Sequence, residues 1–388
     1  MITIHDKMKC TGCTACASIC PVQCIEMKTD EEGFRYPSVD LDLCIHCNQC
    51  ESVCEVLNPP QRKPFDTKYL SGKTDSLKEQ RRSASGGAFH ALASAVLKRG
   101  GLVYGAGYDD ENLPCHMCIS DVDDLCRLQG SKYVESDLGN TFQTIKEVLS
   151  EDEAKEILFS GTPCQVNGLR KFLRKDYENV YYVEIICHGI ASRKIYAKFK
   201  HDFEKKNGKV ETINFRSKAL AGWSPATFEI HTKKKKYQEI FYKTDYGRGF
   251  GIGLFARPSC FQCPFAKLER TSDLTLGDYW NVPKEEYDEN GLSLILVNTS
   301  KGEQLVDKTE NLLVHTADKD RALEGNPRIY SSLKEPEERH DVLASDRSFK
   351  EIVDQYGFAY PLKNRVIDKI PVGLRQGLIK IKNKIKRS

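Results

Sequence analysis

Sixteen of the 388 residues are cysteine, and their spacing is the chemistry most legible in the chain. Cys10, Cys13, Cys16 and Cys20 form a C-x2-C-x2-C-x3-C run followed by Pro21, and Cys44, Cys47, Cys50 and Cys54 repeat it. Three thiolates at three-residue steps wrap one iron–sulfur cube and leave its fourth corner to a distant residue. In paired runs of this kind the fourth cysteine crosses to the other cube. The spacing therefore assigns Cys10, Cys13, Cys16 and Cys54 to one 4Fe–4S cluster, and Cys44, Cys47, Cys50 and Cys20 to a second. Structural zinc favours C-x2-C pairs over such triplets, and disulfides are rare where thiols are kept reduced. Cys24 fits no slot and reads as a small buried hydrophobe.

A second set is more scattered. Cys164 in "SGTPCQ" and Cys187 in "ICHG" each follow a run expected as a buried strand, and Cys260 and Cys263 form "CFQC". Strand ends converge on one sheet edge, where ligand sites concentrate. Four thiolates suit a third 4Fe–4S cluster or a four-thiolate zinc site; packing of Cys164 and Cys187 in the core, with zinc on the pair, is an equal alternative. His188 is a weak catalytic candidate, as proton donor or as a hydrogen bonder behind a ligand. "RRSASGGAFHALASAVL" turns directly into a helix whose free N–H groups suit a phosphate; equally, Ser85 is an N-cap and Gly86 and Gly87 ease the turn. Lys132 in "QGSKYV", the other catalytic candidate, is placed to reach a phosphate or flavin ring, or is merely solvated. Asp278 and Trp280 in "TLGDYW" line a pocket or pack at its rim. Cys115, Cys118 and Cys126 find no fourth partner and read as non-ligands. No G-x-G-x-x-G joins a strand to a helix, so nothing supports a Rossmann nicotinamide site.

The elements that must hold these residues follow from periodicity. "GLVYGAGYD", "EILFSG" and "NVYYVEIIC" read as strands alternating with helices "AFHALASAVLKRG", "TFQTIKEVLS", "VNGLRKFLRK" and "SRKIYAKFKHDFEKKNG". The fold expected is α+β: an N-terminal bacterial-type ferredoxin domain, then an α/β catalytic domain with a mixed sheet. The expected boundaries are 1–57 for the two-cluster domain, 58–82 for a Pro-rich charged linker, 83–160 and 161–330 for two parts of the α/β domain, and 331–388 for a helical basic tail. The Lys233–Lys236 run reads as an exposed hairpin turn. A net charge of +3 offers no argument for nucleic acid. The N-terminus has no apolar h-region and no run approaches a membrane span, so a cytoplasmic location is expected. Ile367, Ile370, Leu374, Leu378, Ile381 and Ile385 stand at helical spacing among Lys and Arg, a pattern suited to peripheral contact with an anionic membrane or to packing on the chain's own domain.

The cysteine runs followed in order by "SASGGAFHALASAVLKRGG", "GSKYV", "LFSGTPCQVNGLRKFL", "EIICHGIAS" and "CFQCPFA…TLGDYW" resemble the family of coenzyme F420 hydrogenase/dehydrogenase beta subunits, of which hydroxymethyl-chlorophyll reductase is a relative. The resemblance runs from Met1 to about Val297. It implies non-covalent FAD and a 4Fe–4S cluster in the catalytic domain, with the N-terminal clusters feeding or draining it. On matching positions it implies Ser85, Gly86, Gly87, Ser131 and Lys132 as flavin contacts, and Cys164, Cys187, Cys260 and Cys263 as the third cluster. The function expected is an FAD-dependent iron–sulfur oxidoreductase. It would exchange electrons with a ferredoxin or partner subunit, and a hydride with a deazaflavin such as coenzyme F420 or another organic acceptor. The alternatives are a non-catalytic electron-transfer subunit that docks a partner oxidoreductase, and a zinc-scaffolded binding protein.

Overall fold

The computed structural model describes residues 1–59 and 65–361. In the first of these segments, β1 (Ile25–Thr29) and β2 (Arg35–Val39) pair antiparallel, and one-turn helices α1 (Ala15–Ser18) and α2 (Gln49–Ser52) follow the two cysteine loops. The loops curl by the same device. Gly12 and Thr14 in one, His46 and Asn48 in the other, have φ of 73°, 63°, 52° and 56°. Two left-handed residues in three turn the chain tightly enough for successive thiols to face one cavity.

The rest is built on an eight-stranded sheet in the order β13-β3-β12-β11-β7-β6-β4-β5. In chain order its strands are β3 (Lys68–Thr74), β4 (Leu102–Tyr108), β5 (Pro114–Ile119), β6 (Ile157–Gly161) and β7 (Val180–Ile185), then, after a separate meander of β8 (Val210–Ser217), β9 (Thr227–Thr232) and β10 (Lys236–Ile240), β11 (Leu274–Asp278), β12 (Ser293–Val297) and β13 (Leu312–Thr316). The central strands β4, β6, β7 and β11 are parallel and the flanking ones antiparallel. After helices α3 (Leu77–Arg82) and α4 (Ala88–Lys98), the crossovers that parallel strands need are supplied by α5 (Thr141–Glu151) between β5 and β6 and α6 (Pro163–Leu173) between β6 and β7. A mixed sheet was the expectation, and the structure has one.

Alternate residues of the central strands enter different cores. Leu158, Tyr181 and Val183 pack with the helix Ala88–Lys98, whereas Ile157, Phe159, Val180 and Tyr182 pack with α5 and α6. Ala15, Ile19 and Val53 of the cysteine-loop domain belong to the second core, so that domain docks on α6. A third, aromatic core unites Phe34, just before β2, and Tyr36 of β2 with the helix Arg193–Asn207 and the β8–β9 pair. Arg339, buried at the far end of the chain, closes the arrangement through an ion pair with buried Glu32 at 2.5 Å.

Two expectations need correction. Segment 58–82 is not merely a linker, for it supplies β3, second from the sheet edge, and the helix Leu77–Arg82. Its strand "KYLSGKT" is short of apolar residues because Ser71 and Thr74 are the buried side chains. The region from 331 contributes two packed helices, Arg339–Ala344 and Phe349–Tyr356, with Val342, Leu343, Ile352 and Val353 buried. The basic stretch from Ile367 to Ile385 lies outside the described residues. Among the described residues no helix is long and apolar enough to cross a membrane.

Candidate redox site

The parallel strands end on one edge of the sheet, and the chemistry gathers there. β6 runs into Cys164, β7 into Cys187 and His188, and β11 into Asp278. Cys164 sits in the first turn of α6, whose N-cap Thr162 is fixed by a reciprocal capping box with Gln165. The turn Pro258–Gln262 carries Cys260, whose N–H donates to the Arg257 carbonyl at 2.9 Å. Cys164, Cys187, Cys260 and Cys263 line one cavity.

The N-terminal cysteines line two more. Cys10, Cys13, Cys16 and Cys54 share one cavity, and Cys20, Cys44, Cys47 and Cys50 share another with Cys24. These are the crossed sets that the spacing assigns. Cys24 is buried in the domain's core, as expected, and with its Sγ 3.4 Å from that of Cys20 it is also a fifth thiol in that wall. The thiols ring cavities and do not meet at a point: among the described residues no three His, Cys, Asp or Glu converge to hold a single ion. Burial pushes the Cys16 thiol up to about 12 and that of Cys260 to about 11, with neighbouring sulfurs of the same set reinforcing it. A bound cation reverses this balance and holds the thiols deprotonated, so four buried thiols around each cavity form a donor set that fits a 4Fe–4S group.

The cavities adjoin one another. Thr11 lines both the Cys10 and the Cys164 cavities. Its hydroxyl donates to Glu55 at 2.5 Å, and Glu55 accepts from Asn167 of α6 at 3.0 Å. A Cβ on Gly168 would stand 2.9 Å from the Cys13 Cβ, so glycine is what lets α6 pass that loop. Cys187, Gly189 and Ile190 wall both the Cys164 cavity and a larger one of about 240 Å3.

Ser85, Gly87, Ser131, Lys132 and His188 all face that larger cavity. Gly86 does not line it. An added Cβ there would lie 2.3 Å from the Gly72 carbonyl and 2.6 Å from the Ser293 nitrogen, so Gly86 serves the close approach of the turn to β3 and β12. Ser85 Oγ donates to the Leu292 carbonyl at 2.6 Å, and Gly87 N-caps the helix Ala88–Lys98 with φ of 92°. Half-buried Lys132 donates to the carbonyls of Leu128 and Gln129 at 3.0 and 2.9 Å; desolvation of its ammonium without a carboxylate partner lowers its pKa to about 7. Burial likewise holds His188 below the usual imidazole range.

Several wall residues escaped sequence reasoning. Buried His116 stands 2.8 Å from Ser136 Oγ and 3.1 Å from the Ser160 carbonyl, and burial takes its pKa down to about 4. Arg216 of β8 makes a two-pronged pair with Asp278 at 2.9 and 3.0 Å, and Trp223 Nε1 donates to the same carboxylate at 2.6 Å. Trp223 stacks on Trp280 at 4.9 Å between ring centres. Two buried polar atoms of the wall, Gln129 Oε1 and Arg216 Nε, have no protein partner, which fits a cavity that receives a polar ligand. Cys115, Cys118 and Cys126 line none of the three cysteine cavities.

Comparison with known proteins agrees with this division. Residues 154–321 match the family model for the C terminus of the coenzyme F420 hydrogenase/dehydrogenase beta subunit, and residues 9–57 match a 4Fe–4S dicluster domain. The F subunit of F(420)H(2) dehydrogenase from Methanosarcina mazei is 21% identical over 380 residues, covering 94% of this chain and 97% of its own. Coenzyme F420-dependent sulfite reductase of Methanocaldococcus jannaschii is 26% identical over 192 residues, 48% of this chain and 28% of that protein. A chain of the F420-reducing [NiFe] hydrogenase complex of Methanosarcina barkeri aligns with a TM-score of 0.46 at 16% identity, over 76% of this chain and 95% of its own. The N-terminal domain is an iron–sulfur, ferredoxin-type domain, and the whole is an electron-transfer protein related to these oxidoreductases. The chain is thus similar to coenzyme F420 hydrogenase/dehydrogenase beta subunits, through the match of residues 154–321, and carries an N-terminal 4Fe–4S dicluster domain.

Proposed function

We propose that the chain is an iron–sulfur flavoprotein oxidoreductase. Cys10, Cys13, Cys16 and Cys54 hold one N-terminal cluster, Cys20, Cys44, Cys47 and Cys50 the other, and Cys164, Cys187, Cys260 and Cys263 a third. FAD binds in the cavity behind Cys187. The observation that carries this reading is the shared wall of Cys187, Gly189 and Ile190, which sets the third cysteine cavity directly against the larger one. When bound, the clusters supply single-electron steps and the flavin exchanges two of those electrons for a hydride.

The chain's own residues do the rest. The Gly87 cap and the first residues of its helix line the cavity, and a helix N-terminus is a favourable place for a phosphate. Ser131 and Lys132 line the same cavity, and Lys132 offers a donor whose charge is gained or lost near neutrality. His116 stays neutral and so leaves the cavity's charge unchanged. Thr11 and Glu55 fasten the first cysteine loop to α6, so the Cys10 and Cys164 sets keep a fixed spacing. The relatives' names make a deazaflavin of the coenzyme F420 type the first hydride partner to test; a ferredoxin or partner subunit supplies or accepts the single electrons.

The test is iron, acid-labile sulfide, zinc and flavin content of the anaerobically reconstituted full chain. About 12 iron atoms and one flavin per chain is the expected result, falling to about 8 iron in Cys164→Ser. About 8 iron and no flavin in the unaltered chain would leave an electron carrier that docks a partner oxidoreductase.

A further inference from the structure

The Cys20, Cys44, Cys47 and Cys50 set lies at the outer end of the molecule, and its surroundings are unusual for a protein surface. From Asp40 to Asn48 every residue except Cys44 is exposed, Cys47 included. Three of them are large and apolar: Leu41, Leu43 and Ile45 are 62%, 57% and 59% exposed. Val22 joins them, since Val22 and Ile45 line the same cysteine cavity. Scattered apolar residues need no explanation, but four around one reactive group form a patch that water solvates poorly. Nothing in the fold requires them there, because the domain's own core is made by Ile2, Cys24, Ile25 and Cys50.

The charges of the loop itself have one sign. Asp40 and Asp42 alternate with the leucines, Glu51 follows, and residues 40–53 contain no Lys or Arg. The cations facing this flank are already engaged. The N-terminal ammonium pairs with Glu51 at 2.7 Å, and the Arg174 guanidinium donates to Ser52 Oγ at 2.8 Å. On the neighbouring strand Glu26 is exposed, with Lys28 near it at 3.8 Å. Asp40 and Asp42 carry no such ion pair among the described residues. An acidic rim repels anionic lipid and attracts a protein whose own contact face is edged with Lys or Arg.

We propose that Val22, Leu41, Leu43 and Ile45, with Asp40 and Asp42 at their edge, form the docking surface for a redox protein. That partner presents an apolar, lysine- or arginine-rimmed face over a one-electron centre. Each encounter moves one electron between that centre and the Cys20/Cys44/Cys47/Cys50 group, with no bond made or broken. The contact is small and short-lived, as electron-transfer encounters are, and Cys47 at the surface gives the shortest path. This inference rests on the reading of those four cysteines as a cluster and is independent of FAD and of the third set.

The probe is oxidised cytochrome c, whose exposed haem edge is ringed by lysines, mixed by stopped flow with the dithionite-reduced, desalted full chain. The expected result is a fast reduction that slows about tenfold between low salt and about 0.3 M salt. Leu43→Lys and Asp42→Lys should each slow it severalfold at low salt while iron content and reduction by dithionite stay unchanged. Leu41→Ser and Asp40→Lys, outside the ligand loop, stand in if either variant loses iron. Equal rates for all these variants and the parent would overturn the proposal. So would co-sedimentation of the parent with phosphatidylglycerol-containing vesicles that the leucine variants abolish, which would make the patch a membrane contact. A chain that shows no cluster signal with dithionite fails the cluster reading itself, a result distinct from a bright cluster that ignores the patch.

Discussion

Arg257 and Cys10, 247 positions apart, are joined inside the protein. The fully buried guanidinium donates from Nε to the Cys10 carbonyl at 2.8 Å, and one Nη lies 3.8 Å from the Cys10 sulfur. Its other Nη meets Glu135 at 3.2 Å, and its plane stacks 4.4 Å from the centre of the Tyr36 ring. The backbone carbonyl of the same arginine holds the Cys260 N–H. One residue therefore sets the spacing of two cysteine cavities and places a fixed positive charge beside the first.

Replacing Arg257 by Met should lower the reduction potential of the Cys10 set, read by EPR-monitored titration, because a cation that favours the extra electron is gone. It should also cost about 3–5 kcal/mol of stability in urea, since Glu135 is left buried without its partner. Adding Glu135→Gln should recover part of the stability and none of the potential.

His116 links acidity to stability. Nε2 faces a carbonyl, which only accepts, so Nε2 carries the proton and Nδ1 accepts from Ser136. The folded pKa of about 4 lies below the ordinary 6.5, so between these values the unfolded chain binds the proton first. Stability should thus fall as pH drops through that window, by about 2 kcal/mol between neutrality and about pH 5. Urea midpoints of His116→Gln, compared with the parent, should lack that share of the slope.

At Gly86 the neighbours of an added methyl are backbone atoms, which cannot swing aside. Gly86→Ala should cost about 1–3 kcal/mol or more in thermal or urea unfolding, while a conservative change at exposed Leu77 should not.

Asp278→Asn tests the brace at the cavity mouth. It leaves buried Arg216 without its carboxylate and should cost about 3–5 kcal/mol. The chain has only two tryptophans, and they are the stacked pair Trp223 and Trp280. Their emission should shift as the acceptor of the Trp223 N–H changes from a carboxylate to a neutral amide oxygen, giving a local readout that general destabilisation alone would not produce below the unfolding transition.

Much of the candidate site is readable in the sequence because its information is local. Three-residue spacing identifies a cluster loop, and strand ends locate Cys164 and Cys187 before the fold is known. What sequence reasoning missed depends on contacts between distant positions. Arg257 meets Cys10, Arg216 meets Asp278 and Glu55 meets Asn167 only after folding, and no pattern around any of them reports it. Strand β3 was missed for the opposite reason, since its buried positions hold Ser and Thr and its composition imitates a linker. Gly86 and Gly87 look alike in sequence yet do different work, one yielding to a neighbouring backbone and one turning the chain.

The closeness of Cys13 to Gly168 carries a consequence for the two halves of the chain. With α6 seated against that loop and Ala15, Ile19 and Val53 buried between them, part of the wall behind the Cys10 set comes from beyond the cysteine-loop domain. Cut loose from α6, that domain would turn those apolar side chains to water, so the halves stand or fall as one folding unit and the cysteine-loop domain is no portable module.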